Sequence, residues 1–358
     1  MGSPRVVSIR TGATLRPATR LCQKPALLRR YPTLISLFEV EYDELDRRLV
    51  HALQINGRAP FSTIAGVLGV SDRTIARRYA RLRSAGAVRV LGGVDPAALG
   101  AVLWFLRVRC APAASVPVAE ALARRPDTSW VSITSGGTEI TCTVRTESEA
   151  DSEALLLAKL PRTPRVEGVT AHSVLHAFYG GPDSLVAKLG SLDEEAIERL
   201  RPAPIPHRPG PVRLDDGDRK LLATLATDGR AEIERLAAAT GWSPTTVRRR
   251  MTELRERGVL YLDIDVDGSM FGVGPRTLLW LSVAPTNLEE VGTELAAHPE
   301  IAFAAATTGP TNVCASVACA NQQELYRYLT GRLARLTAIT HLETAPVIKT
   351  VKRAANQL

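Results

Sequence analysis

Apolar residues recur along the chain with two alternating periods, one near 3.6 residues and one near 2. Leu221, Leu222 and Leu225 share one face of a helix starting near Asp218; Ile233, Leu236 and Ala237 do the same for a shorter one. Gly241 then permits a sharp turn, Ser243 is placed to cap a third helix, and Pro244 suits its first turn. In that third helix Val247, Met251 and Leu254 form a core stripe at i, i+4 and i+7. The same succession occurs earlier, with Gly69 at the turn, Ser71 at the cap and Ile75, Tyr79 and Leu82 in the stripe. Each set predicts a helix-turn-helix, made winged-helix-like by a short apolar strand after Gly86 and Gly258.

The period then shortens to that of strands. The spacing predicts a strand over 101–110, a helix over about 116–124, strands near 129–135 and 139–146, a helix over about 148–160 and a strand over 166–175. Further on it predicts a strand over 277–284, a helix over 288–297, strands over 301–308 and 312–320, a helix over 322–335 and a strand over 339–348. The order βαββαβ is the ferredoxin-like split, an antiparallel sheet with both helices on one face. The other face, expected to carry Trp104, Trp130 and Trp280, needs a cover. A second copy of the module supplies one, back to back, as a dimer of chains or a pseudo-dimer within one.

The chain is a tandem repeat. Asp46-Arg47 recurs as Asp218-Arg219, Gly57-Arg58-Ala59 as Gly229-Arg230-Ala231, Arg77-Arg78 as Arg249-Arg250 and Asp95 as Asp267, always 172 residues on. "SWVSITSGGTEITCTV" (129–144) resembles "AFAAATTGPTNVCASV" (302–317) more weakly. The expected order is a basic tail (1–38), helix-turn-helix domain 1 (39–95), βαββαβ domain 1 (96–185), a linker (186–213), helix-turn-helix domain 2 (214–267) and βαββαβ domain 2 (268–358). The fold class is α+β: two winged-helix-like domains alternating with two ferredoxin-like ones. Prolines in "RPAPIPHRPGPVR" (201–213) forbid a helix and favour an extended spacer.

Composition adds a partner class. The 358 residues carry a formal net charge of +8, mostly from arginine, which favours a polyanion. No apolar run is long enough to cross a bilayer, and no membrane partner is expected. Five cysteines without a CxxC pair argue against a zinc module; Cys142, Cys314 and Cys319 lie in apolar runs and read as buried reduced thiols, hence a cytosolic protein. The tail (Cys22 included) has no acidic residue in its first thirty and no apolar core of a secretory signal. No cofactor and no metal is expected; His172 and His176 share a strand face without a third ligand nearby.

The third helices place this charge. Opposite the stripe lie Arg73 and Arg77, flanked by Thr74, in the first copy, and Thr245 and Arg249, flanked by Thr246, in the second. Such a face enters a major groove, where arginine pairs bidentately with guanine. Arg78 and Arg250 sit beside the core edge and are expected on phosphates, with Arg81 and Arg248 completing the basic set and Ser71 and Ser243 capping the helices.

"LDRRLVHALQINGRAPFSTIAGVLGVSDRTIARRYARLRSAGAV" and "DRKLLATLATDGRAEIERLAAATGWSPTTVRRRMTELRERGVL" resemble the Lrp/AsnC family of prokaryotic regulators. The resemblance covers about 43–180 and 214–352 and implies a double-stranded DNA partner, a βαββαβ module that dimerises, and a small effector, usually an amino acid. It implies an effector turn of Gly-x-x-Asp type, matched here by Gly136-Gly137-Thr138-Glu139 and Gly309-Pro310-Thr311-Asn312; neither keeps the aspartate. The expectation is a non-enzymatic, sequence-specific transcriptional regulator, an intrachain pseudo-dimer that forms homo-oligomers. Its unlike reading faces imply unlike half-sites, centres about one turn, ~34 Å, or a multiple apart. Siroheme decarboxylases also resemble this family, and some are fused two-unit chains. Their histidine- and arginine-bearing segment ends in a motif like Asn-Met-Trp-Phe-Val, of which only Asn312 has a counterpart here. A further rival is an architectural DNA binder with little sequence preference.

Overall fold

The computed structural model describes residues 41–153, 163–206, 208 and 212–354. What was expected of the tail, of Cys22 and of the rest of the 148–160 helix lies outside them. Head 1 is α1 (Glu44–Ile55), α2 (Phe61–Leu68), α3 (Asp72–Ser84) and strand β1 (Val88–Val94). Module 1 follows as β2 (Val102–Cys110), α4 (Ser115–Ala123), β3 (Thr128–Thr134), β4 (Glu139–Thr146), α5 (Glu149–Glu153) and β5 (Val166–Tyr179). Then come α6 (Leu185–Leu189) and α7 (Glu194–Leu200). Head 2 is α8 (Asp216–Thr227), α9 (Ile233–Thr240), α10 (Pro244–Glu256) and β6 (Leu260–Val266). Module 2 is β7 (Arg276–Val283), α11 (Leu288–Ala297), β8 (Ile301–Thr307), β9 (Val313–Ala318), α12 (Gln322–Thr330) and β10 (Ile339–Thr350).

Both heads start from the same reciprocal cap. Asp46 N–H donates to Asp43 Oδ1 at 2.9 Å and Asp43 N–H to Asp46 Oδ2 at 3.2 Å. Asp218 and Asp215 repeat this at 2.7 and 3.1 Å. Each cap satisfies two otherwise orphaned donors and places a carboxylate at the positive end of the helix dipole. Between the second and third helices, Gly69 (φ 68°) and Gly241 (φ 77°) take the left-handed turn that other residues avoid.

The heads pair through β1 and β6, an antiparallel ribbon running from Val88↔Val266 to Val94↔Leu260. At its centre Leu91 faces Asp263, its own repeat counterpart, so a pseudo-two-fold axis passes between them. The cores are exchanged across this axis. Ile264, Met270 and Phe271 pack into head 1. Val94, Ala98 and Leu99 pack into head 2. Neither head completes its apolar core alone.

The two modules close into one eight-stranded barrel of strand order β10-β3-β4-β2-β5-β8-β9-β7. This differs from two sheets merely stacked back to back: the seams β10–β3 and β5–β8 are hydrogen-bonded, which leaves the barrel without an open edge. Cores are exchanged here too, with Val351 packing into module 1 and Phe178 and Tyr179 into module 2. Between the sheets lie Phe105, Leu278, Trp280, Cys314 and Ala345. Phe105 meets Trp280 edge-on at 5.2 Å. Trp280 therefore lies on the inner face, as expected, but Trp104 does not. It packs on the helix side with Leu106 and Val108, its indole N–H on Thr146 Oγ1 at 3.1 Å.

The interval read as a linker is also not all spacer. Val186, Leu192, Ala196 and Leu200, from α6, α7 and the turn between them, are buried in the core of head 1. Lys188 of α6 donates to the carbonyls of His298 and Ile301, both at 2.9 Å, tying the same segment to module 2. Where the ribbon meets the barrel, burial and the neighbouring Asp265 push the Asp263 carboxyl up to about 7, against the Ile264 N–H and Arg276. Cys110, Cys142, Cys314 and Cys319 are buried free thiols, and burial pushes that of Cys142 up to about 12.

Candidate nucleic-acid interface and effector turns

The reading helices begin alike. Ser71 Oγ accepts the Thr74 N–H at 3.1 Å and Ser243 Oγ that of Thr246 at 3.2 Å. The hydroxyls of Thr74 and Thr246 lie 2.8 and 2.9 Å from the same serine oxygens, so both threonines belong to the cap. Ile75, Tyr79 and Leu82 are buried, as are Val247, Met251 and Leu254. Arg73 and Arg77 on α3, and Thr245, Arg248 and Arg249 on α10, are exposed.

Arg78 and Arg250 point elsewhere than their sequence positions suggest. Rather than facing phosphates, they bind the capping carboxylates of the first helices. Arg78 Nη1 lies 2.6 Å from Asp43 Oδ2 and 2.9 Å from Asp46 Oδ1. Arg250 Nε donates to Asp218 Oδ1 at 2.9 Å while its Nη2 reaches Oδ2 and its Nη1 meets Glu253 at 2.8 Å. Asp46 and Asp218 are 1% and 0% exposed, so these arginines neutralise buried charges and fix the reading helix against the first helix. The hydrogen bonds it donates to the carboxylates, that to Asp218 above all, hold the Arg250 guanidinium more firmly protonated than usual. Arg81 also reaches Asp46, but its side chain stays 45% exposed.

The two turns matched by resemblance to an effector site are closed by their own protein. Gly136 and Gly137 take φ of 72° and 89°. Glu139 is buried and accepts from Arg107 Nε at 2.7 Å, Ser135 Oγ at 3.1 Å and Thr134 Oγ1 at 3.3 Å. Arg107 also holds Glu343 at 2.9 Å and lies 4.7 Å from the centre of the Trp280 ring. Its hydrogen bond keeps the Glu343 carboxyl below the usual range. In the other turn, Asn312 Oδ1 accepts the Val283 N–H at 2.9 Å and its Nδ2 donates to the Val283 carbonyl at 2.8 Å. Gly309 (φ 108°) packs on His172, where a Cβ would come within 2.6 Å of the ring. Arg107, the half-buried Glu343 and the buried His172 are residues that the sequence does not single out for this region. His172 is buried, with Nδ1 at 2.7 Å from the Thr308 carbonyl, whereas His176 is exposed; the register shift between Val174 and His176 separates the two. Among the described residues no group of three His, Cys, Asp or Glu side chains is arranged to hold a metal, and no helix is long and apolar enough to cross a membrane.

The AsnC-type helix-turn-helix domain matches residues 43–83 and 214–255, and the Lrp/AsnC ligand binding domain matches 277–356. The chain is 30% identical over 138 residues to the HTH-type transcriptional regulator FL11 of Pyrococcus abyssi, covering 38% of this chain and 91% of that protein. It is 28% identical over 142 residues to FL11 of Pyrococcus horikoshii, covering 39% and 93%. In fold it is similar to the siroheme decarboxylase NirDL in complex with an iron-uroporphyrin III analogue: TM-score 0.59, 16% identity, 87% of this chain and 93% of that one.

Proposed function

This chain belongs to the Lrp/AsnC family of DNA-binding transcriptional regulators, and from that premise we propose that it reads double-stranded DNA as an intrachain pseudo-dimer with two unlike heads. The carrying observation is the ribbon centred on Leu91 and Asp263, which relates α3 to α10 by a pseudo-two-fold axis while their outer faces differ. A symmetric homodimer offers identical faces to a palindrome. Here Arg73 and Arg77 face one half-site and Thr245, Arg248 and Arg249 the other. Arg81 is placed for a backbone phosphate, and Ser71, Thr74, Ser243 and Thr246 orient the helices' first turns. The operator is therefore two unlike half-sites, about 34 Å or a multiple of it between centres.

We read the chain as a regulator rather than an enzyme of the decarboxylase fold. Its segments 129–144 and 302–317, around the second and third strands of each module, contain neither histidine nor arginine. Selection of duplexes from a random pool by the full chain, beside an absorbance scan with siroheme, tests both points. An enriched, asymmetric sequence with an unchanged siroheme spectrum is the expected result. A siroheme complex that loses carboxylates, with no enriched duplex, would overturn it.

A further inference from the structure

Resting on the DNA-reading proposal above, we infer that the two heads load a duplex unequally: head 1 anchors it by charge, and head 2 discriminates, weakened by Glu253 and Glu256 on its reading helix. The helix α3 carries five arginines and one acid, α10 four arginines and two acids. Placement matters more than number. On α10, Thr245, Arg249, Thr252 and Glu256 lie opposite the buried stripe, on the groove-facing side. Glu253 Oε2 lies 3.5 Å from Arg249 Nη1 and 2.8 Å from Arg250 Nη1, so one carboxylate is shared between a reading arginine and a scaffold arginine. Glu256 is met from the linker. Its carbonyl accepts the Arg208 N–H at 2.7 Å, and its carboxylate lies 3.6 Å from the Arg208 guanidinium. Arg208, Thr245, Arg249, Thr252, Glu253 and Glu256 share one open depression of about 530 Å³ along the outside of the helix.

In head 1 the repeat counterparts of Glu253 and Glu256 are Arg81 and Ser84. Arg73 and Arg77 are exposed, and among the described residues no carboxylate forms an ion pair with either guanidinium; Asp72, the acid of α3, accepts the Arg73 backbone N–H at 2.7 Å. A basic face attracts the phosphates of any sequence. A carboxylate at the groove wall is repelled by those phosphates and recovers energy only where a base donor such as cytosine N4 faces it. Head 2 is thus built with a penalty against wrong sequences at two positions where head 1 has no carboxylate.

The test titrates the full chain with a duplex it has selected and with a random duplex of equal length, over a range of KCl. Arg77→Ala is expected to reduce the slope of log K against log[KCl] by about 1, and Arg249→Ala by less than half as much. Glu253→Gln is expected to tighten binding to the random duplex about fivefold and to narrow the ratio between selected and random affinities. Glu256→Gln leaves the bridge between Arg249 and Arg250 intact and should shift both readings in the same direction. Equal slope changes for Arg77→Ala and Arg249→Ala, with no gain on random DNA from either glutamine variant, would overturn the inference while leaving the DNA-reading proposal standing. A wild-type chain that binds neither duplex at low salt would overturn both.

Discussion

Arg58 and Arg230 grip each other's loops. Arg58 donates to the carbonyls of Gly229 and Ala231 at 2.7 and 2.9 Å, and Arg230 to those of Gly57 and Ala59 at 2.7 and 3.0 Å. Each thus holds the loop carrying its own repeat counterpart, and Arg230 also stacks on Phe61 at 4.5 Å. Arg230→Ala removes two charge-assisted hydrogen bonds and a cation–π contact, an expected loss of about 2–3 kcal/mol in urea unfolding. Arg230→Lys is expected to recover little, because an ammonium cannot reproduce the fork. Near-complete recovery by lysine would show that charge alone holds the heads together.

Arg250 acts on stability before it acts on DNA. Arg250→Ala leaves Asp218 buried and unpaired, so unfolding free energy should fall by about 3 kcal/mol. Adding Asp218→Asn should return part of that loss, since the stranded charge is gone. A stable Arg250→Ala variant that loses only DNA affinity would restore the phosphate role read from the sequence.

Asp263 makes stability depend on pH. Its folded carboxyl titrates near 7, above the usual value near 3.8. The folded state therefore holds the proton more tightly, so this contribution is fully present below the unfolded value and is lost as pH rises to about 7. Asp263→Asn cannot lose it. The melting temperature of the variant minus that of the wild type should grow between pH 4 and 7 by several degrees and then level off. A difference independent of pH would show that Asp263 titrates normally.

Glu139 and Asn312 are engaged by Arg107 and Val283, so neither offers a free acceptor to an α-amino group. Calorimetric titration with single amino acids is expected to give flat isotherms. Tight binding of one amino acid, lost in Glu139→Gln, would show that Arg107 yields its place to an effector.

The heads were legible because each third helix has one buried stripe and one open face, and because the repeat fixes both at once. The partners of Arg78 and Arg250 were not. Asp46 and Asp218 lie 32 residues earlier on another helix, and position on a helical wheel does not distinguish a phosphate from a buried carboxylate. Trp104 lies on the face opposite to the expected one because β2 is covered on both sides, by the module's own helices over Leu106 and by the other sheet over Phe105. Alternation then marks two faces without saying which is which. The βαββαβ order was readable, but barrel closure depends on edge pairs such as Val347↔Thr134, far apart in sequence, for which no local signal exists.

The most direct test is a hydroxyl-radical footprint of the full chain on its selected duplex, repeated with Arg249→Ala. Two protected tracts of unlike sequence are expected on one helical face of the DNA, and the variant should lose protection and about 1–3 kcal/mol at one tract only. A palindromic footprint weakened equally on both sides would contradict two unlike heads in one chain.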